Sequence, residues 1–354
     1  MILELDGLSH HYDTERVVAD VSFGVEESEL VALLGPSGCG KTTLVQAIAG
    51  HVTPAGGSVR LRGTDVTDMT PEKRDVGVVF QRSTLYPHMT VRENVAYGLR
   101  ANDVCRDRRA DIVTEYLELV RLAGKHDSYP EELSGGQRRR VELARALAPE
   151  PDVLLLDEPL SALDQTLRRQ LREEIARIQR ETEVTTLFVT HDQEDAMSLA
   201  DRLVLLQDGS ISATGDPRRL YESPPNRFVA SFLGRSNAIP AAIIERTPLT
   251  FQFGGTTVQL DRVSESASDG EVIVHVRPED VSIGCAESSV SGVELTGVVS
   301  SVTDFGSRYD VSIQLESGER ITVERQRSPP SVNEEVLIII DPEDITVLPK
   351  SNAI

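Results

Sequence analysis

Tryptophan is absent, all aromatic residues together make up 4% of the 354-residue chain, and lysine occurs only at Lys41, Lys73, Lys125 and Lys350. Few stacking rings and a formal net charge of -21 remove the two features on which nucleic-acid surfaces depend, base stacking and a field that attracts phosphate. No nucleic-acid partner is expected. Cysteine is scarce too: Cys39, Cys105 and Cys285 are odd in number and far apart, so neither a disulfide framework nor a zinc site is indicated. A reduced compartment fits. No run approaches the roughly 18 to 20 apolar residues of a membrane-spanning helix, and the N-terminus lacks the order of an export signal. A soluble, cytoplasmic protein is expected. With positive charge supplied almost wholly by arginine, the acid excess fits a salt-rich cytoplasm and ordinary solubility by self-repulsion equally well.

The length favours two or three domains. Leu30 to Leu34 is a short apolar run ending at Gly35, and Thr42 to Ala49 continues with helical periodicity closed by Gly50, which reads as strand, loop, helix. Val76 to Phe80, Val153 to Leu156, Thr186 to Thr190 and Arg202 to Leu206 read as fully buried strands of a parallel sheet. Leu167, Leu171, Ile175 and Ile178 mark an amphipathic helix packed on it. After the turn-rich Ser223 to Asn226, long helical patterns give way to short Val- and Ile-rich segments. The reading is an α/β domain over 1–235, then an all-β domain over 236–354 with nine or ten short strands, among them Val272 to Val276, Tyr309 to Leu315 and Glu335 to Ile340. Such strands suggest small barrels.

Gly35-Pro36-Ser37-Gly38-Cys39-Gly40-Lys41-Thr42 fits G-x-x-x-x-G-K-[ST] in the strand-to-helix setting that this pattern needs. Glycines let backbone N–H groups curl around phosphates, the helix N-terminus adds positive charge, Lys41 reaches the outer phosphates and Thr42 offers its hydroxyl to Mg²⁺. Thr43, the next residue, is counted with the ATP-binding set. Val153 to Pro159 supplies an apolar strand that delivers Asp157 as a metal ligand and Glu158 as a base for the attacking water. Two solvated acids capping a strand would be the alternative; the phosphate loop favours catalysis. Ser134 and the glycines after it open a helix and form a second N–H-rich anion site, with Gln137 closing the motif.

Leu133-Ser134-Gly135-Gly136-Gln137 resembles the signature motif of ABC transporter ATPases. The resemblance implies a P-loop ABC cassette with a helical insert at about 82–150, working as a homodimer in which one copy's signature closes over the other's ATP. It further implies adenine stacking by Tyr12, contact of Gln81 with Mg²⁺ and the attacking water, a γ-phosphate contact from His191 that helps place Glu158, and a dimer contact from Ser161-Ala162-Leu163-Asp164. Asp164 is also a natural N-cap for a helix from Gln165 to Arg180. The run Arg138, Arg139, Arg140 lies on an amphipathic helix with Val141, Leu143, Ala144 and Leu147, where a solvated face is expected.

Gln81 to Leu99 is similar to importer ATPases, in which the insert from Arg82 to Glu132 receives a coupling helix of the membrane subunit; Arg82, Ser83 and Thr84 depart from the residues usual there. Val276-Arg277-Pro278-Glu279-Asp280 resembles a motif of the oligonucleotide-binding-like (TOBE) domains appended to importer ATPases, which dimerise and sometimes bind regulators or solute. The implied activity is ATP hydrolysis coupled to uptake of a sugar, polyamine, ferric iron, sulfate, molybdate or similar solute. The implied partners are two transmembrane permease subunits and an extracytoplasmic binding protein, with this chain at the cytoplasmic membrane face. A soluble ABC ATPase of translation or DNA repair is the alternative; neither its tandem cassettes nor its coiled-coil insertions are present.

Overall fold

The computed structural model describes residues 1–161, 163–246, 248–260, 271–284 and 292–350, so Ala162 and Cys285 lie outside the described residues. The chain divides into two compact units, Met1–Pro217 and Arg218–Ile354.

The first unit runs β1 (Leu3–Tyr12), β2 (Glu15–Val25), β3 (Leu30–Leu34), α1 (Lys41–Ala49), β4 (Gly56–Leu61), β5 (Thr64–Asp65), β6 (Val76–Val79), α2 (Val91–Ala101), α3 (Arg106–Leu119), α4 (Gly135–Leu147), β7 (Val153–Asp157), α5 (Gln165–Thr182), β8 (Thr185–Thr190), α6 (Gln193–Leu199), β9 (Arg202–Gln207) and β10 (Ser210–Gly215). Its main sheet has the order β10-β9-β3-β8-β7-β6, parallel from β9 to β6 with β10 antiparallel at one edge. Every residue of β3, β7 and β8 is buried. A parallel strand covered on both faces loses polar alternation, which is why these segments stand out as unbroken apolar runs.

A second sheet, β2-β1-β4-β5, is antiparallel and was not foreseen. Register shifts between Leu5 and His11 break the period of two in β1, so its sequence carries no clean strand signal. Leu3, Leu5 and Val59 of this sheet nevertheless share one core with Leu44 and Ile48 of α1 and with Val31 and Leu33 of β3.

The second unit holds α7 (Pro217–Glu222), α8 (Arg227–Phe232), β11 (Asn237–Arg246), β12 (Leu249–Phe253), β13 (Thr256–Leu260), β14 (Glu271–Val276), β15 (Val281–Gly284), β16 (Val293–Asp304), β17 (Tyr309–Leu315), β18 (Arg320–Arg325), β19 (Glu335–Ile340) and β20 (Thr346–Pro349). Two five-stranded antiparallel sheets, β13-β12-β11-β14-β20 and β15-β19-β16-β17-β18, curl around one hydrophobic core, as an OB-like fold requires. Buried Arg277, at the end of β14, donates to the carbonyls of Tyr221, Ala230 and Arg235 and lies 4.1 Å from the Tyr221 ring centre. These bonds hold α7 and α8 to the β unit, so the compact division falls at Pro217 and not at the expected 235.

One buried cation fixes α1, the helix that carries the phosphate loop. Arg74 donates to Ala47 O at 2.6 Å and Ile48 O at 2.7 Å, which are carbonyls of the last turn, and to Thr67 O and Met69 O. It answers both the unpaired carbonyls and the negative end of the helix dipole. Arg74→Met leaves two buried and two part-buried carbonyls short of a donor, and chemical denaturation should show a loss of about 3 kcal/mol in unfolding free energy.

Candidate nucleotide site

The parallel register brings the C-terminal ends of four neighbouring strands to one edge: Leu34 pairs with Thr190, Val189 with Asp157, and Leu156 with Val79. Whatever follows these strands converges, as ligand-binding loops do in open α/β sheets. The phosphate loop follows β3, His191 follows β8, Glu158 follows β7 and Gln81 follows β6.

In the loop, Gly35 is required because a Cβ there would meet Leu206 O at 2.4 Å, and Gly40, at φ 100°, caps α1 where a Cβ would meet Val17 O at 2.6 Å. Pro36, Ser37 and Gly38 are exposed, as is Thr42, while Thr43 is buried. Lys41 is buried and its Nζ donates to Gly35 O at 2.7 Å and Pro36 O at 2.9 Å, which arches the loop over the head of α1. Cys39 is buried beneath it; burial pushes its thiol up, so it serves as a small packing group and not as a nucleophile.

Asp157 is the last residue of β7 and 6% exposed, and its Oδ1 has no hydrogen-bond partner among the described residues. Burial, then the charge of Glu158, raises its carboxyl above the usual range, against the pull of Lys41 and Arg139. A buried carboxylate oxygen without a donor suits a hard cation, and with the Thr42 hydroxyl and the Gln81 amide oxygen it would make an all-oxygen donor set.

Glu158 turns the chain at φ 44°, a left-handed backbone that non-glycine residues seldom adopt, with its N–H held by Val189 O at 2.9 Å. Gln81 Nε2 donates to Glu158 Oε2 at 2.9 Å, and His191 Nδ1 lies 3.0 Å from Oε1. One carboxylate is thus gripped from two neighbouring strand ends. Oriented this way it can accept a proton from water lying over the phosphate loop.

Three expected parts of the site sit on other elements. Tyr12, at the end of β1, is 48% exposed and donates to Gln46 Oε1 of α1 at 3.5 Å, which leaves a ring face open beside that helix. Asp164 caps α5 by accepting from Leu167 N at 3.0 Å. Ser134 caps α4: its Oγ accepts from Gln137 N at 3.2 Å while Gln137 Oε1 accepts from Ser134 N at 2.9 Å. The two glycines that follow differ. At Gly136 a Cβ would strike Leu167 Cδ1 at 2.6 Å, whereas at Gly135 it would meet nothing within 4 Å. Packing within the chain explains the second glycine and leaves the first one free for something outside it.

The solvated face expected for the arginine run is corrected at Arg139, which is 7% exposed and paired with Glu142 at 2.6 Å. Its place was legible in the spacing, since Gly136, Leu143 and Ala146 lie on the same helical face and are buried.

Residues 18–161 match the ABC transporter family and residues 274–348 the TOBE domain. The spermidine/putrescine import ATP-binding protein PotA of Aliivibrio fischeri is 41% identical over 326 residues, spanning 91% of this chain and 87% of the relative. The chain belongs to the ATP-binding subunits of ABC importers. The PotA protein of Thermobifida fusca is 40% identical across 90% of this chain and 84% of its own length. The sulfate/thiosulfate import ATP-binding protein CysA 2 of Chromobacterium violaceum is 46% identical across 78% and 77%. As a member of this ABC importer family, the protein is an ATPase subunit that binds ATP. Among the described residues no helix is long and apolar enough to cross a membrane.

Because the Asp157 carboxyl is raised in the folded chain, its ionisation costs stability once the pH lies above the ordinary carboxylate range, and the cost disappears as pH falls. Asp157→Asn should therefore raise the melting midpoint of the nucleotide-free ABC ATPase by about 2–4 °C at neutral pH, with the gain shrinking on acidification in a calorimetric pH series.

Proposed function

We propose that ATP closes two copies of this chain, that hydrolysis reopens them, and that this cycle drives two permease subunits between inward- and outward-facing states. The observation that carries the reading is the Glu158 carboxylate held between Gln81 at 2.9 Å and His191 at 3.0 Å, directly after Asp157 at the end of β7. Gly35 to Thr43 cradle the phosphates, Lys41 neutralises the outer two, and Tyr12 stacks on adenine. Asp157, Thr42 and Gln81 would hold Mg²⁺, which when bound would offset charge on the transferring phosphoryl group. Glu158 orients the attacking water and takes its proton; Gln81 and His191 keep its two oxygens aimed at the γ-phosphate.

The other copy supplies the remaining donors. Ser134, Gly135, Gly136 and Gln137 bring the first turn of α4 to the γ-phosphate, and the open space at Gly135 is where that phosphate approaches. Asp164 contacts the partner near its phosphate loop. Residues 82–132 receive the permease, with Tyr97 44% exposed beside Tyr86 as an aromatic docking point. The assembly sits at the cytoplasmic face of the membrane, and a binding protein outside delivers the solute. Relatives of similar identity bear polyamine and sulfate names, so selection of the cargo belongs to those other subunits.

Glu158→Gln keeps the shape and both neighbours but removes the base. In the full chain it should bind ATP, accumulate as an ATP-bound dimer in size-exclusion chromatography, and lose at least about 100-fold in kcat. Undiminished turnover would remove Glu158 from its assigned role.

A further inference from the structure

Arg139 spends a largely buried guanidinium on bonds inside one chain. Nη1 donates to Phe80 O at 2.5 Å and to Glu142 Oε2 at 2.6 Å, and Nε donates to Pro159 O at 2.8 Å. Nη2 makes longer contacts, 3.5 Å each, with Gln81 O and Glu158 O. Glu142, 2% exposed, uses its other oxygen to accept from Thr84 N at 3.1 Å. One ion pair on α4 therefore grips the segment around Gln81 from both ends and the turn at Glu158 from its carbonyl side.

Packing joins α4 to β6 further along the helix, where a Cβ on Gly77 would meet Ala146 O at 2.6 Å. A cavity of about 220 Å³, lined by Gln81, Ser83, Gly135, Arg138 and Arg139, separates the glutamine segment from the head of α4. Arg145, further along α4, adds an anchor by donating to Thr84 O at 2.7 Å, but it is Arg139 that reaches Phe80, Gln81 and the Glu158–Pro159 turn. Burying two opposite charges gains little stability over an apolar pair of similar size. What it adds is geometry, because a planar fork of five donors fixes several carbonyls at once in a way that no apolar side chain does.

We propose that Arg139 and Glu142 are positioning residues that make Gln81, the Glu158 turn and the Ser134 end of α4 move as one body. Seating of Ser134 at a γ-phosphate and alignment of Glu158 for hydrolysis then occur together, even though they serve opposite sites of a dimer. The inference rests on the reading of Glu158 and Gln81 given under Proposed function.

A single substitution leaves one buried charge unpaired, so the decisive variant is Arg139→Met/Glu142→Leu in the full-length chain with ATP and Mg²⁺. The expected result is a melting midpoint near that of the wild type, KM for ATP within about twofold, and kcat lower by about 10- to 100-fold. Arg139→Lys keeps the charge but not the fork and should show the same split. Wild-type kcat in a folded double variant, or a loss confined to KM, overturns the inference. If the double variant does not fold, Arg139→Lys decides alone: reduced kcat at unchanged KM supports it, and wild-type kcat overturns it. Glu158→Gln measured alongside separates the two claims. Normal turnover there defeats the reading of the site itself, whereas an inactive Glu158→Gln beside a fast double variant defeats only the positioning role.

Discussion

Two adjacent carboxylates stand at the end of a strand whose every residue is buried, and the nucleotide edge is built around that constraint. A charge brought there needs compensation. Glu158 obtains it by turning out through a left-handed backbone into the reach of Gln81 and His191. Asp157 stays in the strand, and its Oδ1 finds no protein donor among the described residues. One carboxylate is held by neighbours and the other keeps an oxygen without a protein donor, so a single turn of backbone gives neighbouring acids different surroundings.

The strands that bear this site were the most legible part of the sequence. Burial on both faces makes β3, β7 and β8 continuous apolar runs, and the loop, acids and histidine follow directly at their ends. Strand β17 and strand β19 were read to the residue for a related reason, since each is bounded by turn-forming residues. The antiparallel sheet of β1 was not legible, because its bulges destroy the alternation by which such strands are recognised. Arg139 was missed because charge run and helical face gave opposite signals; the face, with Gly136 and Leu143 beside it, was the better guide. The boundary shifted for a similar reason: Arg277 reaches backward to carbonyls on α7 and α8, and long-range bonds of that kind leave no local pattern.

Two glycines side by side carry the argument for a shared site. Gly136 is explained by Leu167 pressing on α4, but Gly135 faces open space, and Ser134 is satisfied by its own capping box with Gln137. The first-turn N–H groups of α4 that the cap does not reach have no partner within the helix. An anion approaching Gly135 meets those donors with no side chain in the way. Since the phosphate loop of the same chain already has its own helix terminus in α1, the function proposed above gives the two ends to one ATP between two copies. On that proposal Arg139 and Glu142 join the end of α4 that would face the partner's nucleotide to the residues that would serve its own.

That division of one site between two copies is tested most directly by complementation. A chain with Lys41→Ala lacks a working phosphate loop, and a chain with Gly135→Val lacks a working signature; each alone should be inactive. Mixing them makes dimers in which one site has both intact halves. The account predicts that ATP hydrolysis returns on mixing, and a mixture as inactive as either chain alone would contradict it.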